Sequence, residues 1–228
     1  MELNNKELIL FDLDGTLINS APDLATAVNY MLETLDKETF PEESIDLWVG
    51  NGALVLVKRA LSGSREIDET LDPDHVETAL QIFLGFYAKH LCVKTKPYPN
   101  VTSTLNALRS EGYRLAIITN KPYAFVEPIL EGLNLKDLFE YVLGGDSLDK
   151  KKPDPLPLRH ACKALDIPIE KSVMVGDSRN DILAAKAAGM QSIAVTYGYN
   201  YGEDIRTYEP DIVIDNFAYL ITALCPKG

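Results

Sequence analysis

Cysteine is scarce in this 228-residue chain. The three present, Cys92, Cys162 and Cys225, are odd in number and too far apart to share a metal. No disulfide framework is expected, and reduced thiols fit best. Histidine is equally rare: His75, His90 and His160 each stand alone, so no imidazole metal pair is expected. Basic residues number 22 against 34 acidic ones, a net charge of -12. Nucleic acids and anionic membrane surfaces require a basic footprint, so neither is an expected partner. Long apolar runs are missing too, and so is a basic start leading into an apolar core. The expectation is no membrane span, no signal peptide and a cytoplasmic location. Internal repeats and low-complexity tracts are also lacking.

What remains is ordinary globular composition, 46% hydrophobic and 25% charged. That suits one large domain, or one domain with a smaller companion. A first strand is expected over 7–13. A helix start follows, with Ser20 as N-cap, Pro22 in the first turn and Asp23 as the acid of a capping box. From 22 to 94 the pattern is helical throughout, with apolar residues at three- and four-residue spacing. A stiff proline pair, Pro97 and Pro99, ends it. After Asn100 helices and strands alternate, with strands expected at 114–119, 141–144, 172–175, 191–195 and 212–214. Alternation of this kind implies an α/β fold with a parallel sheet and helices on both faces. The organisation is therefore discontinuous: residues 1–17 and 98–228 form a core domain, and 18–97 form a helical insert.

In an open parallel sheet, ligands bind at the carboxyl ends of the strands. The chemistry-bearing residues of this chain fall at those ends. The first strand runs into Phe11-Asp12-Leu13-Asp14-Gly15-Thr16. Side chains two apart on a strand share a face, so Asp12 and Asp14 form a crowded acid pair that needs a cation or a shared proton. The next strand delivers Thr119-Asn120-Lys121. The one after delivers Gly144-Gly145-Asp146-Ser147, leading to Lys150, Lys151 and Lys152. The fourth delivers Gly176-Asp177-Ser178 with Asp181 one turn on, where Ser178 and Asp181 also fit a capping box. Each item has an ordinary reading as a turn, a strand residue or a solvated lysine loop, but those readings do not explain why all of them share one rim. The chemistry that wants the set is phosphoryl transfer. A carboxylate must be brought against an anionic phosphate ester, and Mg2+ would neutralise both. Asp12, Asp177 and a backbone carbonyl could bind the ion. A lysine and hydroxyl or backbone donors could hold phosphate oxygens. Asp14 could protonate the leaving oxygen.

These four stretches, Phe11 to Thr16, Ile118 to Asn120, Lys151 to Pro153 and Gly176 to Asp181, resemble in order the four motifs of the haloacid dehalogenase superfamily. The resemblance implies a Rossmann-like parallel sheet ordered 3-2-1-4-5 with an inserted all-helical cap. It implies Asp12 as nucleophile through an aspartyl-phosphate, and Asp14 as acid/base whose carbonyl also binds Mg2+. Thr119, Asn120 and Lys152 would hold the phosphoryl group, Asp177 would be a metal ligand, and Ser178 and Asp181 would stand behind the metal. Within the superfamily, the stretches from Asn19 to Leu24, Trp48 to Ala53 and Gly144 to Ser147 are similar to bacterial phosphoglycolate phosphatases. That makes 2-phosphoglycolate the expected substrate and Gly50, Asn51 and Gly52 candidates for contacting it from the cap. The competing expectations are a sugar phosphomutase, a broad-specificity phosphatase or pyrophosphatase, and, outside enzymes, a phospho-aspartate signalling receiver. A monomer or homodimer is expected.

Overall fold

The computed structural model describes residues 3–224; Cys225 lies outside them. Strand β1 (Leu8–Phe11) is the centre of a six-stranded sheet, and all four of its residues are fully buried. A strand covered on both faces needs apolar side chains at every position, which explains the unbroken Leu-Ile-Leu-Phe run. Ile9 and Phe11 enter one apolar layer, whereas Leu8 and Leu10 enter the other. This is the alternation that pleating dictates.

β1 is flanked by β4 (Arg114–Ile118) and β6 (Ser172–Gly176), both parallel to it. Outward from β4 lies β5 (Tyr141–Leu143); outward from β6 lie β7 (Gln191–Val195) and then β8 (Ile212–Ile214). Ranked by their place in the chain, the core strands stand in the order 3-2-1-4-5-6. The expected order 3-2-1-4-5 is present, and the correction is to its length: the strand expected at 212–214 joins the same sheet as a sixth parallel strand, paired from Ile212 to Ile214 with β7. Helices α5 (Val101–Ser110), α6 (Tyr123–Gly132) and α9 (Leu220–Ala223) cover one face through Leu105, Ile129 and Leu220. The opposite face carries α7 (Leu156–Ala164) and α8 (Arg179–Ala188) through Leu158, Ala161 and Ala185.

Between β1 and α5 the chain leaves the sheet and forms α1 (Ala21–Thr34), α2 (Glu42–Asp46), α3 (Ala53–Ser62) and α4 (Pro73–Tyr87). α1 and α3 both pack along α4, and Val28, Met31, Val57, Phe83 and Tyr87 bury their side chains between them. Trp48 is buried there as well, edge-on to Phe40. The outgoing and returning crossings pair as a two-stranded antiparallel ribbon, β2 (Ile18–Asn19) with β3 (Lys96–Pro97).

Asp23 ties the same crossing. Its carboxylate accepts from the Lys94 and Thr95 amides at 2.8–3.0 Å and from Thr95 Oγ1 at 2.7 Å. The expected capping box at Ser20 and Asp23 is therefore absent. Asp23 caps the returning strand instead, and the Ser20 hydroxyl makes no cap bond to α1. Among the described residues, no helix is long and apolar enough to cross a membrane.

Candidate active site

Asp12 follows the last residue of β1, and its amide donates to Val175 O at 3.0 Å, so the ends of β1 and β6 lie abreast. The register Phe11 to Ile117 and Phe11 to Val175 then puts Thr119 and Asp177 beside it. Asp12, Asp177 and Asp181 each offer a carboxylate oxygen, and these oxygens lie within 4.8 Å of one another. All three residues are buried. Lys152, itself buried, stands between two of them, its Nζ 2.9 Å from Asp12 Oδ1 and 2.6 Å from Asp181 Oδ1. The Lys152 reading as part of a solvated loop is thus excluded by its burial.

Three carboxylates with one ammonium are an unbalanced set in a low-dielectric site. Burial pushes the Asp12 carboxyl up to about 6; Lys152 pulls it back, while Asp181 and Asp14 add repulsion. Burial, with Asp12 and Asp181 close by, holds the Asp177 carboxyl well above the usual carboxylate range, although hydrogen bonds from Thr16 and Tyr199 oppose the rise. The Lys152 ammonium is held above its ordinary range: burial works against its charge, but Asp12 and Asp181 outweigh it.

This donor set fits a hard divalent cation, which takes oxygen ligands and would neutralise the excess charge. Asp181 is the least available of the three. Lys152 takes one of its oxygens, and the Ser178 amide and hydroxyl take the other at 3.0 and 2.8 Å. The capping box of α8 is present as expected, and it seals Asp181 behind the site. Asp177 is held from two sides by Thr16 Oγ1 at 2.6 Å and the Tyr199 amide at 2.7 Å. The backbone is pressed onto it at two glycines. A Cβ on Gly15 would fall 2.3 Å from Asp177 Oδ2, and one on Gly198 would fall 2.2 Å from Asp177 Cβ. Gly15 also has φ +89°, which other residues avoid.

Asp14 lies apart from the three-carboxylate cluster. Ser20 Oγ donates to its Oδ1 at 2.5 Å, and Lys121 Nζ reaches its two oxygens at 3.0 and 3.1 Å. Here is the use of the Ser20 hydroxyl that α1 does not take. The sequence pattern alone points to no role for Lys121; its one signal is a lysine directly after Thr119-Asn120 at a strand end. Its third contact is Tyr87 Oη of α4 at 2.8 Å. Burial alone would lower the Lys121 ammonium, but Asp14 and Tyr87 hold it above its usual range.

Thr119 is buried and lines the same cavity; its hydroxyl accepts from the Lys121 amide at 3.2 Å. That leaves the hydroxyl proton free for a ligand. Asn120 is different. Its side-chain amide donates to Gly50 O at 3.2 Å and Lys152 O at 3.0 Å, so that amide ties the strand end to the helical insert, while the residue itself lines the cavity.

The loop 50–52 meets the sheet domain at several points. Asn180 Nδ2 also donates to Gly50 O, Lys151 Nζ donates to Asn51 O, and Tyr201 Oη donates to Asn51 Oδ1. Gly50 and Gly52 line the cavity with Leu24, Val49, Leu56, Phe83 and Phe125, and Asn51 does not. The Tyr-rich loop 197–202 matches no motif in the sequence. It delivers the Tyr199 amide to Asp177, the Tyr199 hydroxyl to Asn19 and the Tyr201 hydroxyl to Asn51.

Compared with protein-family models, residues 9–195 match the haloacid dehalogenase-like hydrolases. The chain is 54% identical to a phosphoglycolate phosphatase of Colwellia psychrerythraea, over 98% of this chain and 99% of that one. It is 49% identical to a phosphoglycolate phosphatase of Psychrobacter arcticus, over 96% of each. Among solved structures it is similar to a predicted phosphoglycolate phosphatase of Haemophilus somnus, with 39% identity, a TM-score of 0.89 and coverage of 96% and 97%. It also resembles a CbbY mutant of Rhodobacter sphaeroides in complex with xylulose-1,5-bisphosphate, with 26% identity, a TM-score of 0.78 and coverage of 93% and 95%.

Proposed function

We propose, because the chain belongs to the haloacid dehalogenase-like hydrolases and is a phosphatase, that it hydrolyses 2-phosphoglycolate to glycolate and phosphate. The observation that carries this reading is the site at the ends of β1, β4 and β6. It holds a carboxylate with a buried lysine for phosphate and a separate carboxylate for the proton, under a cavity closed by helices. The names of the two curated relatives support the substrate.

In this reading Asp12 attacks phosphorus, and the bond to the ester oxygen breaks. Asp14 gives that oxygen its proton, so glycolate leaves as the alcohol. Water then attacks the phosphorus of the aspartyl-phosphate, Asp14 takes the proton back, and Asp12 is released with inorganic phosphate. Lys152 and the Thr119 hydroxyl hold phosphoryl oxygens as charge builds on them. Asp12, the Asp14 carbonyl and Asp177 would hold Mg2+, with Asp181 behind them. When bound, the ion supplies charge neutralisation for the approach of carboxylate to phosphate.

Residues 18–97 act as a cap hinged on the β2–β3 ribbon, and the core comprises 1–17 and 98–228. In the closed arrangement the helices exclude water from the phosphoryl group. The test is a panel of phosphate esters, with magnesium and with chelator. The expected outcome is the highest kcat/KM for 2-phosphoglycolate, lost on chelation and restored by magnesium. A flat profile across sugar phosphates and pyrophosphate, or conversion of a sugar phosphate to its isomer, would remove the substrate assignment.

A further inference from the structure

The cavity over Asp12 and Asp14 has an unusual balance of chemistry. Away from the carboxylates its walls are apolar: Leu24, Val49, Leu56, Phe83 and Phe125. Among its lining residues Lys121 alone carries positive charge. Only an ester oxygen and one methylene separate the phosphorus of 2-phosphoglycolate from its carboxylate. The carboxylate must therefore be recognised close to Asp12 and Asp14, inside this cavity. A buried carboxylate with no cation is costly. The start of α3 offers about half a charge; a lysine offers a whole one. The carbonyls of Gly50 and Asn51 are committed to core donors, which fixes that loop as a joint.

Resting on the substrate reading above, we propose that Lys121 receives the carboxylate of the substrate and so sets the preference for phosphate esters that carry one. Its geometry suits an exchange of partners. Lys121 shares its ammonium between both oxygens of Asp14, at 3.0 and 3.1 Å, so one donor can turn to the ligand while the other keeps Asp14 in place. Ser20 continues to hold Asp14 through its own bond to Oδ1. Tyr87 Oη, 2.8 Å from Nζ, brings a second group to the same spot. Tyr87 is set by its own packing, stacked on Phe83 and edge-on to Phe125. Because Tyr87 belongs to α4, the carboxylate subsite is complete only with the helical insert seated on the sheet.

The experiment compares kcat/KM for 2-phosphoglycolate with that for ethyl phosphate, which has a methyl group in place of the carboxylate. Wild type, Lys121→Met and Tyr87→Phe are measured with magnesium present, and folding is checked by circular dichroism. Wild type is expected to prefer 2-phosphoglycolate. Lys121→Met is expected to lower the ratio of the two kcat/KM values by about 10- to 100-fold, the cost of one charge-assisted hydrogen bond. Tyr87→Phe is expected to lower it by roughly 10-fold, the lower end of the same range, because a hydroxyl donated to a carboxylate is also charge-assisted. Any effect acting through Asp14 alone lowers both substrates together and leaves the ratio unchanged. A wild-type preference that survives Lys121→Met overturns this inference and leaves the substrate reading standing. A wild type with no preference overturns both. Should Lys121→Met fail to fold, an unchanged ratio in Tyr87→Phe overturns the inference.

Discussion

Asparagine in place of Asp12 is expected to abolish turnover and, at the same time, to stabilise the metal-free protein. In the folded state burial lifts the Asp12 carboxyl from 3.8 to about 6, net of the attraction of Lys152. An acid whose folded pKa lies above its unfolded one binds its proton more tightly in the folded state. Stability is therefore lost as the pH rises from roughly 4 to 6, and the full deficit is present at neutral pH. A rise of this size corresponds to roughly 3 kcal/mol. Asparagine keeps the shape and removes the charge, and Lys152 is not stranded because Asp181 Oδ1 remains 2.6 Å away. For a protein of this length roughly 3 kcal/mol raises Tm by about 6–12 °C. The assay is thermal unfolding by circular dichroism in chelator, near pH 7.5 and again near pH 5. The variant should melt higher than wild type at the first pH. The gap should narrow at the second, where the wild-type carboxyl is largely protonated. A variant that melts at or below wild type near pH 7.5, or a gap that ignores pH, would refute the reasoning.

Other consequences follow from single contacts. Asp14→Asn should lower kcat by roughly 10²- to 10⁴-fold with KM little changed, because the proton is needed only as the bond breaks; steady-state kinetics in which only KM moved would contradict the assignment. Gly198→Ala places a Cβ 2.2 Å from that of Asp177, so Asp177 must shift; a magnesium titration should need more metal for half-maximal activity, and an unchanged titration would count against Asp177 as a ligand. Asp23→Ala strands buried donors at Thr95 and should cost about 2–4 kcal/mol in urea unfolding; a loss below the error of that measurement would show that the crossing does not depend on it.

The parts of the site that were legible in the sequence are those that strand geometry dictates. Asp12, Thr119 and Asp177 stand directly after apolar runs that read as buried strands, and ligands gather where such strands end; Lys152 lies nine residues beyond β5, and only the resemblance of Lys151 to Pro153 to a family motif singles it out. The β7 and β8 pairing was harder, since Ile212–Ile214 is only three residues long and its neighbour is set by tertiary packing.

Local rules failed where a distant partner competes better. Ser20 has the sequence of an N-cap, yet the Asp14 carboxylate is a stronger acceptor for its hydroxyl. Asp23 has the position of a capping acid, yet three donors from the returning chain claim it. Tyr87 sits in a helix face that reads as core, and nothing in its spacing reveals that its hydroxyl meets Lys121. No local rule assigns loop 197–202 a role; its purpose depends on Gly198 and Tyr199 lying against Asp177, 22 residues from Tyr199 in sequence.

The central claim is that Asp12 itself takes the phosphoryl group, and trapping tests it most directly. The protein is mixed with 2-phosphoglycolate and magnesium, quenched in acid within the first turnover, digested and analysed by mass spectrometry. A hydroxylamine-labile phosphoryl group on the peptide bearing Asp12, absent from Asp12→Asn, is the predicted result. Turnover in Asp12→Asn at the wild-type rate, or a phosphoryl group found on another residue, would contradict it.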